Sequence, residues 1–181
     1  MTEFQRQVAA LELPGVLAEP LREAAALAEA SAPGRIPFVV VAPRPRLDAL
    51  GRIAGATSML DAEDLARWTP ADGIRVPAAA AYLAIDVDLG DATRGVTPDD
   101  ALAMLSAEDR SPLTVDEGIA LVTHHPEAIA RNHGIQFPGS RCGDRRVTAI
   151  WLSKGERKLG WCWAGNPHSW LGMASCAARW A

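Results

Sequence analysis

The chain has almost no lysine. Lys154 and Lys158 are its only two, every other basic residue is an arginine, and 22 acidic residues outnumber 18 basic ones for a formal charge of −4. That balance leaves no global basic footprint for nucleic acid. Cysteine is scarce too. Cys142, Cys162 and Cys176 are an odd set with no Cys-x-x-Cys, so a secreted disulfide framework is not expected. No apolar run reaches the roughly 18 residues of a membrane span. The opening MTEFQRQ lacks the apolar stretch of a signal peptide. There is no HExxH, no internal repeat and no low-complexity tract beyond alanine-rich patches. These absences describe a cytoplasmic protein with no nucleic-acid or membrane partner, and no motif names a cofactor. The preference for Ala, Arg, Gly and Pro over Lys indicates a GC-rich genome.

What remains is 181 residues, 49% apolar, enough to bury a core without disulfides. Apolar residues recur at helical period over 2–12 and 16–31, with Pro14-Gly15 between them. This predicts an N-terminal helical segment over 1–35 and a single α+β domain over 36–181. IPFVVVAP, residues 36–43, and AAYLAIDVDLGD, residues 80–91, read as strands. A short helix is expected over 62–68, capped by Asp61. Thr97-Pro98 with Asp100 starts another helix, and Thr114 with Glu117 forms a capping box for a third. Pro126 opens a further helical turn that ends at His133-Gly134. Residues 146–165 alternate and turn at KGER, which predicts a C-terminal β-hairpin with Trp161 and Trp163 on one face and Cys162 on the other. The expected fold is α+β: N-terminal helices, a small mixed or antiparallel sheet with that hairpin, and helices packed on it.

Four places carry possible chemistry. Cys142, Cys162, His168 and Cys176 are the ligand types of a Cys3His zinc site, although no pair has the short spacing of a zinc knuckle. Asp86 and Asp88 end a strand as paired carboxylates do in phosphotransferases of the haloacid dehalogenase type. Leu89 departs from that motif, and the pair also suits a turn cap. His124-His125 ends a helix, where the dipole favours protonated histidine. GSRCGDRR, residues 139–146, sets three arginines beside glycines, and arginine forks grip carboxylate or phosphate. Cys142 among those arginines would have a lowered pKa if exposed. The tryptophan-rich stretch after it contributes either core or pocket wall.

From GSRC through KLGWCWAGNPHSWLGMASC, with TPDDAL, SPLTVDEGIALVTHHPEAI and YLAIDVDLGD before it, the chain resembles a bacterial family of unknown function. The likeness runs from about Pro37 to Cys176 and is strongest after Ser111. The family pattern has proline at Thr148, a small residue at Met173 and glycine at Ala177. These departures suit a specialised relative, such as one in a biosynthetic pathway. The resemblance implies no reaction. The residues themselves point to a small-molecule binder or enzyme acting on an anionic metabolite. Arg141, Arg145, Arg146, Trp161, Trp163, Asn166 and Trp170 would line its pocket, with His168, Asp144 and Cys142 as candidate catalytic groups. A protein-interaction or homodimerisation module is the first alternative. A metal protein using Cys142, Cys162, His168 and Cys176 is the second.

Overall fold

Pro20 has no N–H to give a helix and breaks the predicted long second one. The computed structural model describes residues 1–181. It shows α1 (Glu3–Ala10), α2 (Gly15–Ala18), a 3-10 turn at Glu19–Leu21 and α3 (Arg22–Leu27), after which Ala28 turns extended. Next come β1 (Ile36–Val41), α4 (Arg46–Leu50), β2 (Ala56–Ser58), α5 (Ala62–Ala66), β3 (Thr69–Pro70) and β4 (Tyr82–Val87). They are followed by α6 (Pro98–Ala107), β5 (Ser111–Pro112), α7 (Val115–His124), β6 (Gly134–Phe137) and β7 (Ser140–Arg141). The chain closes with β8 (Arg146–Ser153), β9 (Glu156–Trp163), β10 (Leu171–Met173), β11 (Ser175–Cys176) and β12 (Ala178–Trp180). The fold is α+β, and no helix is long and apolar enough to cross a membrane.

Two sheets organise it. The first is antiparallel, in the order β1-β4-β12, and the second is mixed, in the order β10-β6-β8-β9-β2. The hairpin β8–β9 pairs Arg146 with Trp163 and Thr148 with Trp161, so those four share a face with the buried Ile150 and Leu159. Lys154 and Gly155 both have positive φ, the type I′ geometry that suits strand twist. In the first sheet, β1 and β4 are buried on both faces. Val39, Val41, Tyr82 and Ala84 look into the main core, while Phe38, Val40 and Leu83 meet Phe4, Leu21 and Ala25 of the N-terminal helices. The region 1–35 therefore covers a face of the 36–181 sheet.

The middle of the molecule is α7. The predicted capping box forms: Thr114 Oγ1 accepts from the Glu117 N–H, and Glu117 accepts from the Thr114 N–H at 2.7 Å. Nearly all its residues are buried, including Glu117 and Gly118, the pattern of a helix enclosed on all sides. A Cβ on Gly118 would stand 2.5 Å from the Phe137 ring, so only glycine lets α7 lie against β6. β1 is an edge strand. Gln7 fills its free edge, accepting from Val40 N–H at 2.7 Å and donating to Phe38 O at 3.2 Å. A side-chain amide thus stands where another strand would pair, which blunts the edge.

The expected helical run after Pro126 is only a 3-10 turn at Pro126–Ala128, and Gly134–Phe137 is instead a central strand. β4 stops at Val87, and Asp86 within it takes a left-handed φ of 53°.

Candidate functional site

The arginine loop binds mostly to itself. Asp144 accepts from the Arg146 N–H at 2.9 Å and from its guanidinium, also at 2.9 Å. Those bonds, the backbone one foremost, hold the Asp144 carboxyl below its usual range. The Arg146 guanidinium lies 5.8 Å from the Trp68 ring and 5.4 Å from Trp161, so it is sandwiched between two indoles as well as ion-paired. Cys142 is buried and its Sγ donates to Asp144 at 3.3 Å. Burial and the neighbouring carboxylate push its thiol pKa up, opposite to the nucleophile expected from its arginine neighbours. Arg145 pairs with Asp99 at 2.7 Å on the surface. Arg141 differs from both. It is half-buried, donates only to Ser140 O at 3.4 Å, and burial lowers its pKa.

Beyond the hairpin the predicted set divides. Trp161 and Trp163 meet at 4.9 Å on the Arg146 side. Asn166 closes a turn onto Trp163 O. His168 packs against Trp170 at 5.4 Å, and Trp170 meets Trp151 at 6.2 Å. The structure therefore brings Cys142, Asp144, Arg146 and Trp161 together and places His168 with Trp170 in a separate group. No cluster of three or more His, Cys, Asp or Glu side chains is disposed to hold a metal. Cys142, Cys162, His168 and Cys176, the ligand set of the second alternative, are thus not gathered into one site. Burial raises the pKa of Cys162 and pushes Cys176 up to about 12, so both behave as core thiols.

Asp86 and Asp88 do not form an open carboxylate pair. Asp86 is buried and accepts from Ser31 N–H at 2.8 Å, Ser31 Oγ at 2.7 Å and Arg110 at 2.8 Å. Burial alone would raise its pKa, but these bonds outweigh it and hold the carboxyl down at about 2. Asp88 takes Arg35 at 2.8 Å and caps Gly90 N–H at 2.7 Å, which is the turn-cap role.

His124 is not the exposed cation of a helix terminus. It is buried, its Nε2 lies 2.9 Å from Val40 O, and burial lowers its pKa to about 4. Since a carbonyl only accepts, Nε2 carries the proton. The unfolded chain binds a proton below pH 6.5 and the folded one does not until about pH 4, so stability falls as pH drops through that window. Between pH 7.5 and pH 5 the wild type should lose about 2 kcal/mol that His124→Gln keeps. Urea midpoints at the two pH values measure this, and equal losses in both proteins would remove His124 from the account.

The largest recess lies elsewhere, at the loop APRPRL after β1. It measures about 1050 Å³ and is lined by Pro43–Asp48, Ala62, Leu65, Ala66 and Asp116. A smaller recess of about 330 Å³ shares Pro43, Arg44 and Asp116 with it. Two prolines fix the backbone around Arg44 and leave its neighbours few conformations. Arg46 is committed: it grips Asp116 through two bonds of 2.8 Å and also donates to Leu65 O. Arg44 is not. It forms no ion pair, donates through one nitrogen to Leu11 O at 2.9 Å, and its Nε is buried with no acceptor. Burying a charged donor unpaired is costly. The sequence signal was present in two arginines alternating with two prolines at a strand exit.

The chain belongs to a family of unknown function, DUF5701, which matches residues 8–181. No curated protein and no solved structure matches the sequence.

Proposed function

We propose that this protein binds a small organic acid, an apolar body carrying one carboxylate or phosphate, in the recess formed by Pro43–Asp48 and α5. One observation carries the reading. Arg44 is a guanidinium without a carboxylate, with a buried unpaired N–H, in the wall of the molecule's largest recess. An anion entering there gives Arg44 the bidentate partner it lacks. Leu47, Leu65, Ala62 and Ala66 offer the apolar side. Asp116 does not compete, because Arg46 occupies both its oxygens. A cytoplasmic protein of a specialised bacterial pathway, as the sequence suggests, fits this role.

Octanoate is a suitable probe. Calorimetric titration should show saturable binding that weakens about tenfold or more in Arg44→Ala, since a charge-assisted bond carries about 1.5–3 kcal/mol. Unchanged affinity in that variant overturns the assignment.

A second reading keeps the anion at the arginine loop. Its support is Arg141, which is desolvated and ion-pairs with nothing. Arg141→Ala, titrated alongside, separates the two: the site belongs to whichever arginine is needed.

A further inference from the structure

Another recess, of about 540 Å³, opens at the far end of the hairpin, between Ala130, Asn132–Gly134, Trp151, Leu152 and Trp170. Its wall is a rigid aromatic corner. Trp151 lies on the sheet over Gly160, where an added Cβ would come within 2.4 Å of the ring. Trp170 meets Trp151 edge to face at 72° and carries His168 beside it at 5.4 Å. The Trp170 carbonyl is fixed by Gly134 N–H at 2.9 Å and by Arg94 at 2.9 Å.

Arg94 also sets the chemistry of the rim. Its Nη2 lies 3.0 Å from His133 Nδ1. A guanidinium only donates, so Nδ1 must accept and the imidazole proton sits on Nε2. His133 therefore presents its Nε2–H as a donor, exposed at the mouth beside the Asn132 amide. No aspartate or glutamate lines the recess, and Asp91 is already paired with Arg94 at 2.7 Å.

We infer that this corner is a binding site for a planar heteroaromatic ring bearing hydrogen-bond acceptors, neutral or anionic. Trp151 and Trp170 supply an aromatic wall for the ring to lie against, and the His133 Nε2–H supplies a directed donor. The absence of a carboxylate from the lining and the nearby Arg94 charge disfavour a cationic ring. This site is separate from the Arg44 recess and does not depend on it.

Adenosine monophosphate is the probe. It should quench tryptophan fluorescence saturably, and ribose 5-phosphate, which has the anion without the ring, should not. Affinity should fall about tenfold in Trp170→Leu and severalfold in His133→Phe, which keeps a ring but removes the donor. Trp170→Phe serves if the leucine variant fails to fold, as judged by circular dichroism. No saturable quenching by adenosine monophosphate overturns the inference, as does equal binding of benzyltrimethylammonium or indifference to both substitutions.

Discussion

Arg179→Met should destabilise the protein by about 4 kcal/mol, the usual penalty for removing one partner of a buried ion pair. Glu117 is fully buried inside the first turn of α7. Arg179 grips both its oxygens, at 2.5 and 2.8 Å, and the Tyr82 hydroxyl donates to it at 3.1 Å. The same guanidinium reaches Ser111 Oγ at 2.6 Å and Pro112 O at 3.0 Å. Burial alone would lower the Arg179 pKa, but Glu117 outweighs it and lifts the value above the usual range. This arginine, on β12, therefore ties the last strand to β5 and to the central helix. Urea denaturation measures the loss. The double variant Arg179→Met, Glu117→Gln should recover a substantial part, because the lone buried carboxylate is the main penalty. A loss below about 1 kcal/mol in Arg179→Met would show that solvent or rearrangement replaces the contact.

The second large effect is at Asp86. Asp86→Asn should destabilise by about 3 kcal/mol, since it strips the counter-charge from Arg110, whose side chain is 4% exposed. Arg110 has committed its other donors to Ser175 Oγ at 2.8 Å and to the Asp86 carbonyl. It cannot turn to water. Asparagine tolerates the left-handed backbone that Asp86 adopts, so this variant isolates charge, while Asp86→Ala adds backbone strain and should be worse. The acid limb gives an independent check. With the folded pKa held down at about 2 against an ordinary 3.8, the pair's contribution is complete above pH 3.8. It disappears as pH falls toward 2. The wild type should show that acid loss and Asp86→Asn should not. Equal acid profiles would mean that Asp86 carries no linkage.

The elements legible in the sequence are those with local causes. The hairpin follows from alternation around Lys154-Gly155, and α7 from Thr114 and Glu117 acting as a reciprocal cap. The interior strands IPFVVV and YLAIDV are β-branched or aromatic runs, and both were readable. What the sequence hides is mostly non-local. β10, β11 and β12 have two or three residues each, too few for any periodicity. They exist because β6, β5 and β4 offer edges to pair with. Gly134–Phe137 is only four residues long, and its one polar side chain, Gln136, is buried with the rest inside the second sheet. The site shows the same division. GSRCGDRR advertises three arginines, yet Asp144 and Asp99 consume two of them, and Asp99 lies 46 positions away from its partner. Arg44 stands out only once the structure shows that no acid comes within ion-pair distance of it.

The most direct measurement is the arginine Nε–H spectrum of 15N-labelled protein, followed through a titration with octanoate. The account predicts that the Arg44 Nε–H resonance, identified by its loss in Arg44→Ala, moves most as the site saturates. A resonance of Arg141 moving instead, with Arg44 still, would contradict it and return the anion to the arginine loop.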